Sequence, residues 1–123
     1  MIISSASPIL QVEDLKRAIN FYSDILGFFK EFEYGDPSYY AGVKRNAITF
    51  HLCKSEENAE RRGMGSVYVF CDEVDSYYEE ITAKGVEITS PLNTYPYGMR
   101  DFQIKDADGN LICFGCPVEG ENG

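Results

Sequence analysis

Apolar residues recur along the chain at the spacing of strands in some segments and at the spacing of a helix in others. The same order of these segments occurs twice. Ser7 to Val12 has the composition of a strand, and Glu13-Asp14 then provides a capping side chain for a helix. The next apolar residues follow an i, i+3, i+4, i+7 spacing: Leu15, Ala18, Ile19, Tyr22, Ile25 and Leu26. This spacing predicts an amphipathic helix that ends at Gly27. Three runs with strand character follow, at 28–34, 38–43 and 47–53.

The second half of the chain repeats this order. A strand at 66–71 precedes a helix at about 72–84, in which Val74, Tyr77, Tyr78 and Ile81 keep the helical spacing. The remaining segments are a short strand at 86–89, a long loop through Tyr97-Gly98, a strand at 99–105, a turn at 106–110 and a strand at 111–116. The interval from Asp14 to Gly27 equals the interval from Asp72 to Gly85, which indicates a duplicated half.

These patterns predict a single α+β domain over residues 1–123, built from two βαβββ modules. The modules are expected at 4–55 and 66–117, with a linker at 56–65 and a frayed tail at 118–123. Each module has one helix to cover one face of its sheet. We therefore expect the other faces to form a curved mixed sheet around a cleft, where a ligand would bind.

The charge of the chain restricts the class of partner. The net charge of -9 argues against nucleic acid and anionic membranes, which are bound through Lys and Arg, and it suits a neutral or cationic small molecule. Solubility alone is the alternative explanation of this charge. The chain starts without a basic segment followed by an apolar run, so we expect a cytoplasmic protein whose four cysteines are reduced.

Two polar motifs are candidates for chemistry. His51 alternates with Phe50 and Leu52, so it faces the cleft if those two face the helix; the alternative is a hydrogen-bonded sheet histidine without a chemical role. Cys113-Phe114-Gly115-Cys116 is a Cys-x-x-Cys motif, but three positions along a strand place the sulfurs on opposite faces. We therefore predict no redox or zinc pair there. The acidic segment 106–110 is predicted to be a hairpin turn and not a calcium loop.

Aromatic residues are the positive evidence for a ligand. The chain contains 9 Tyr and 8 Phe and no Trp. Tyr40 falls on a candidate cleft strand, Tyr68 shares the face of Ser66, and Tyr95 and Tyr97 bracket a proline in the long loop. Such side chains form stacking walls for a flat or cationic compound. Packing within the core is the alternative, and it is the one we expect for Phe28, Phe102, Tyr77 and Tyr78.

The chain resembles the vicinal-oxygen-chelate superfamily, which includes glyoxalase I, extradiol dioxygenases, fosfomycin-resistance enzymes and bleomycin-resistance proteins. The resemblance extends from about residue 7 to 117. Its motifs are Gln11-Val12-Glu13-Asp14-Leu15 with Arg17-Ala18 and Phe21-Tyr22, Leu26-Gly27-Phe28, and Tyr97-Gly98-Met99-Arg100-Asp101-Phe102 leading into Asp106-Ala107-Asp108-Gly109-Asn110. The resemblance implies the paired-module fold and a homodimer in which adjoining chains complete each other's cleft.

The positions that would hold a metal in metal-dependent members of this superfamily correspond to Ser7, His51, Ser66 and Cys113. Two hydroxyls, one imidazole and one thiol do not form the set of imidazoles and carboxylates that a catalytic divalent metal requires. The chain contains one histidine, so a site with two histidines and one carboxylate has no second imidazole. The sequence therefore predicts neither a metal nor another cofactor.

The resulting hypothesis is a bleomycin-resistance-like protein that binds and sequesters a planar or cationic compound of the antibiotic type without transforming it. The first alternative is a lyase or isomerase with an absent or non-standard metal site. The second is an interaction module that has lost its pocket. The predicted ligand-binding residues are Ser7, Tyr40, His51, Ser66, Tyr68, Tyr95, Tyr97, Met99, Arg100 and Cys113.

Overall fold

Two four-stranded mixed sheets form the framework of the protein in a computed structural model, which describes residues 1–118. The first sheet has the order β1-β4-β3-β2 and consists of β1 (Ile9–Gln11), β2 (Phe29–Gly35), β3 (Ser38–Arg45) and β4 (Ile48–Cys53). The second has the order β5-β8-β7-β6 and consists of β5 (Ser66–Phe70), β6 (Glu87–Tyr95), β7 (Met99–Lys105) and β8 (Leu111–Pro117). In each sheet the first strand pairs in parallel with the last and the other pairs are antiparallel. The predicted α+β class is confirmed.

One helical segment belongs to each half. Helix α1 (Leu15–Asn20) continues as a π-helical turn over Phe21–Ile25. Its N-terminus is capped by Asp14, whose side chain accepts the backbone N–H of Arg17, and Gly27 ends it with a φ of +77°. Helix α2 (Val74–Thr82) begins two residues later than predicted, because Glu73 before it has a left-handed backbone with φ +41°. A short 3-10 helix occupies Glu56–Arg61 between the halves.

The predicted loop before Tyr97 was wrong, because β6 extends from Glu87 to Tyr95, with irregular pairing to β7 between Ile88 and Asn93. Pro91 lies inside this strand. A proline removes a ladder hydrogen bond and is tolerated at an edge or a bulge; β6 is the edge strand of its sheet, and Pro91 lies in the irregular stretch of its pairing. The first strand is also shorter than predicted and starts at Ile9, although the carbonyl of Pro8 still accepts the backbone N–H of His51.

The core is one continuous cluster shared by both halves. Each sheet turns one face towards it, and the helices fill the space between those faces. Its largest fully buried side chains are Tyr22, Phe50 and Phe102. Among the described residues, no helix packs on the opposite face of either sheet, so polar and aromatic side chains on these two faces remain accessible.

The turn between β7 and β8, at residues 106–110, fastens the two halves together. The hydroxyl of Tyr22 donates to Asp106 Oδ2 at 2.8 Å, and Asp106 Oδ1 accepts the backbone N–H groups of Asp108 and Asn110. The fully buried Asn110 accepts the N–H of Gly65 and donates to the carbonyl of Gln11. The hairpin turn predicted for this acidic segment is confirmed.

The predicted frayed tail, 118–123, lies outside the described residues except for Val118, whose N–H donates to the carbonyl of Gly98. Within residues 1–118, no helix has the length and apolar character needed to cross a membrane.

Candidate functional site

The helix-free face of the first sheet, which we call open face A, presents His51 beside aromatic side chains. Phe50 and Leu52 are buried in the core, so His51 between them points to the other side, as the alternation predicted. Its Nδ1 atom lies 2.9 Å from the hydroxyl of Tyr40. This contact fixes the orientation of the imidazole and leaves Nε2 available to a ligand.

Phe32 completes this group on open face A. Its ring meets the His51 ring edge-on at 5.4 Å and lies nearly parallel to the Tyr40 ring at 6.3 Å. The ring occupies the space above Gly42, where a Cβ atom would overlap it. The absence of a side chain at Gly42 is thus what allows Phe32, Tyr40 and His51 to come together.

The helix-free face of the second sheet, open face B, is organised around Asp101. This carboxylate is only 3% exposed. It accepts a hydrogen bond of 2.7 Å from the hydroxyl of Tyr68, and the hydroxyl of Tyr97 contacts its two oxygens at 2.9 and 3.0 Å. Gly115 lies beneath, where a Cβ atom would overlap the Tyr68 hydroxyl. We call Asp101, Tyr68 and Tyr97 the tyrosine–aspartate cluster.

Both hydroxyls of the tyrosine–aspartate cluster hold their protons tightly. The ring of Tyr97 is largely exposed, but loss of water around its hydroxyl, followed by the hydrogen bond and charge of Asp101, raises its pKa to about 12. The same causes raise the pKa of Tyr68 further. Both hydroxyls are therefore neutral donors to Asp101 at neutral pH.

The other predicted residues of open face B surround this cluster. The Tyr95 ring stacks on the Tyr97 ring at 5.6 Å with an interplanar angle of 2°, and its hydroxyl donates to the carbonyl of Pro91. Cys113 pairs with Tyr68 across the sheet, and burial, with a smaller contribution from Asp101, raises the pKa of its thiol to about 11. Met99 is half-buried at the start of β7, opposite Tyr95.

Three predicted residues lie apart from these clusters. Ser7 is exposed before β1, and Ser66 is exposed at the start of β5. Arg100 points towards α2, where its guanidinium contacts both carboxylate oxygens of Asp75 at 2.8 Å. Since Arg100 and Asp101 are neighbours on a strand, they point to opposite sides of the sheet.

Sequence reasoning missed Asp101, Phe32 and Phe70 as members of these faces. Asp101 directly precedes the buried Phe102 on β7, so the alternation that placed His51 also places Asp101 on the open side. Phe70 is 70% exposed at the end of β5, two residues after Tyr68 and 5.1 Å from its ring. Phe32 carries a weaker signal, because a register shift between Lys30 and Phe32 interrupts the alternation along β2.

The four positions that correspond to metal ligands do not form a common donor set here. His51 lies on open face A and Cys113 on open face B, while Ser7 and Ser66 offer only hydroxyls. Across residues 1–118, no three His, Cys, Asp or Glu side chains are grouped closely enough to hold a metal ion. The residues present therefore do not fit the divalent metal of the metal-dependent members of the superfamily.

The two open faces do not contact each other within one chain. In the described part of the chain, no hydrogen bond or aromatic pair links His51, Tyr40 or Phe32 to the tyrosine–aspartate cluster. A cavity of about 420 Å³ lies between the β3–β4 turn and the start of α2, and Phe70 of open face B is among its lining residues. None of the ten predicted ligand-binding residues lines that cavity.

Comparison with known sequences identifies related proteins. A sequence model of the family described as "Glyoxalase/Bleomycin resistance protein/Dioxygenase superfamily" matches residues 4–114. The chain is 28% identical over 125 residues to a bleomycin resistance protein of Geobacillus stearothermophilus, and the alignment covers 87% of this chain and 92% of that protein. A bleomycin resistance protein of Staphylococcus aureus matches with the same values.

Solved structures have the same fold. The bleomycin-binding protein of the bleomycin producer Streptomyces verticillus, solved with copper(II)-bleomycin, is 27% identical with a TM-score of 0.77; the match covers 98% of this chain and 99% of that one. TnmS3, an antibiotic-binding protein from Streptomyces sp. CB03234, has a TM-score of 0.82 and 23% identity, with 96% of this chain and 99% of that chain covered. At the identity of TnmS3 the likeness shows the fold alone.

Proposed function

Because this chain belongs to the Glyoxalase/Bleomycin resistance protein/Dioxygenase superfamily, we propose that it binds and sequesters a small planar or cationic compound of the antibiotic type. The protein acts in the cytoplasm by stoichiometric capture and makes or breaks no bond. The bleomycin resistance proteins among its relatives and the bleomycin complex of its structural neighbour support this proposal.

The observation that carries the proposal is the exposure of aromatic rings on both open faces. Phe32 and Tyr40 on open face A, and Tyr68, Phe70 and Tyr97 on open face B, are exposed or half-exposed although aromatic rings gain much from burial. Contiguous exposed apolar surface on a monomer marks a binding site. Flat rings on two faces suit a flat ligand held between them, and a net charge of -9 favours a ligand with positive charge.

We further propose that two chains form the complete site. Open face A and open face B are not in contact within one chain, so neither alone encloses a ligand. In a homodimer, face A of one protomer meets face B of its partner, and a symmetric pair of clefts results. We expect a particle of two chains in sedimentation equilibrium; a monomer at micromolar concentration would contradict this arrangement.

A lyase or isomerase is the second candidate, and the observation that favours it is the contact between His51 and Tyr40. A histidine oriented by a hydroxyl, with its second nitrogen available, is one element of a general acid–base site. An enzyme that depends on the only histidine loses turnover when His51 is replaced by Ala, whereas a binding protein retains a ligand that contacts mainly the tyrosines.

A thermal-shift titration combined with elemental analysis tests the proposal. We expect bleomycin or the planar cation 9-aminoacridine to raise the melting temperature of a metal-free sample, because a ligand at a hundred times its Kd adds about 2.7 kcal/mol to the free energy of unfolding. Stoichiometric bound metal, or stabilisation by metal ions only, would contradict sequestration and favour the enzyme.

The variant Tyr97→Ala locates the site in the same assay. Tyr97 is 65% exposed, so its loss affects the fold little, and we expect it to weaken ligand-induced stabilisation. Met64→Ala is the matched control, because Met64 is also a largely exposed apolar side chain, 77% exposed, and lies in the linker between the halves. An equal loss of binding in both variants would contradict the assignment.

A further inference from the structure

No cationic side chain pairs with the carboxylate of Asp101 among residues 1–118. Its three hydrogen-bonding contacts come from the neutral hydroxyls of Tyr68 and Tyr97. The ion pairs formed by the described residues do not include it, and the adjacent Arg100 is engaged by Asp75. The protein therefore keeps an unpaired carboxylate at the centre of open face B.

A purely structural role does not account for this charge. Burying an ionised carboxylate without a counter-charge is costly, whereas the amide oxygen of an asparagine would accept the two tyrosine hydroxyls without that cost. A cationic group of a ligand would offset this cost by pairing with the carboxylate. It would approach from the open side of the sheet, where Tyr68, Phe70 and Tyr97 provide aromatic surface.

Tyr97 controls access to Asp101. Tyr68 is held within β5, but Tyr97 lies in the turn between β6 and β7, and its ring is mostly exposed. Its hydroxyl can thus leave Asp101 when a better donor arrives. A positively charged N–H forms a stronger bond to a carboxylate than a neutral hydroxyl does.

We propose that Asp101 selects the charge of the ligand: the site takes a planar aromatic compound with a protonated nitrogen, whose N–H replaces the Tyr97 hydroxyl on the Asp101 carboxylate. The inference rests on the proposed function, because it concerns the same site. It narrows the ligand class from planar or cationic compounds to compounds that are both.

Two acridines of similar shape test this selection by fluorescence titration. 9-Aminoacridine is a cation at neutral pH and acridone is neutral. We expect the wild-type protein to bind the cation about tenfold more tightly or better, which is the strength of one charge-assisted hydrogen bond. Asp101→Asn keeps an acceptor for the tyrosines and removes the charge, so it should abolish the preference for the cation over acridone.

Asp24→Asn is the matched control, because it removes the same charge from an exposed position in the π-helical turn that follows α1. It should retain the wild-type preference. Tyr97→Phe keeps the aromatic wall but removes the competing hydroxyl, and it should bind the cation more tightly than the wild type does. A preference that survives in Asp101→Asn, or that Asp24→Asn loses equally, would overturn the inference.

A wild-type measurement covers the case in which Asp101→Asn fails to fold, as monitored by circular dichroism. The preference should change by less than about twofold between about 0.05 and 0.5 M KCl if a buried carboxylate is responsible, because buried pairs are screened weakly. A preference that disappears at high salt would assign selection to the diffuse surface charge. Equal binding of both acridines to the wild type would overturn charge selection by Asp101 but leave the proposed sequestration intact. Binding of neither acridine would contradict both proposals.

Discussion

Two glycines, Gly42 and Gly115, lie beneath aromatic side chains of the open faces. These side chains differ in how easily they can move away from an added Cβ atom. A Cβ atom at Gly42 would overlap the ring of Phe32, which is partly exposed and able to rotate away. A Cβ atom at Gly115 would overlap the Tyr68 hydroxyl and lie 2.6 Å from the Cβ atom of the buried Asp101. The same substitution should therefore have different costs at the two positions.

We expect Gly115→Ala to lower the free energy of unfolding by about 2 kcal/mol, because it breaks the Tyr68–Asp101 hydrogen bond and crowds a buried carboxylate. Gly42→Ala should change it by less than about 1 kcal/mol, since the added strand propensity offsets the displacement of Phe32. Urea denaturation of the two variants gives the comparison. Equal losses would show that the tyrosine–aspartate cluster is not rigid.

Individual residues were predictable where the alternation along a strand decides their direction. His51 was assigned to the open side from Phe50 and Leu52 alone, and the same rule applies to Asp101 beside Phe102. The partners were not predictable. Tyr97 reaches Asp101 from a turn, and Arg100 reaches Asp75 because of how α2 packs on the second sheet, so both contacts depend on tertiary structure.

The turn at 106–110 is the element whose disruption should destabilise the fold most. Asp106→Ala removes the acceptor for two backbone N–H groups and leaves the hydroxyl of Tyr22 buried without a partner. We expect the free energy of unfolding to fall by about 3 kcal/mol, measured by urea denaturation. Asp24→Ala, an exposed change in the same helical segment as Tyr22, should change it by less than about 0.5 kcal/mol.

A double-mutant cycle isolates the contribution of the Tyr22 hydroxyl. In a Tyr22→Phe background, no hydroxyl remains to be left unpaired, so Asp106→Ala should cost less than it does in the wild type. Equal costs in the two backgrounds would show that Asp106 stabilises the turn alone and not the junction with α1.

Elements were predictable where the hydrophobic period is long and uninterrupted. The helical spacing from Leu15 onwards gave the correct start, and Gly27 gave the correct end, but nothing in the spacing distinguishes the π-helical turn at Phe21–Ile25 from an α-helix. Strand β6 was missed beyond Thr89 because Pro91 breaks the local strand signal. The position of β6 at the sheet edge and the irregular pairing around Pro91, both properties of the whole sheet, permit that proline.

At the scale of the whole molecule, several acidic protons are held more tightly in the folded state than in free side chains. Burial raises the pKa of Cys71 and of Cys113 from about 9 to about 11, and burial followed by Asp106 raises the pKa of Tyr22 well above its usual value. The unfolded chain releases these protons at lower pH. The free energy of unfolding should therefore be unaffected below about pH 8 and fall between about pH 9 and 11.

Urea denaturation midpoints at several pH values check this alkaline loss of stability. Cys113→Ala removes one of the groups, so its midpoint should fall less steeply with pH than that of the wild type. A midpoint that stays constant from about pH 8 to 11 would contradict the tight proton binding of the folded state.

The hydrogen bonds of the 106–110 turn also bear on the biosynthesis of the chain. They join residues up to 99 positions apart: Asp108 accepts the N–H of Glu13 and a guanidinium N–H of Arg17, and Asn110 donates to Gln11. The ribosome releases the N-terminal half first, so the corner between β1 and α1 stays hydrated until residue 110 has emerged. The two similar halves therefore do not complete their folding one after the other during synthesis. The first half forms part of its hydrogen bonds with the 106–110 turn, which lies near the end of the second half.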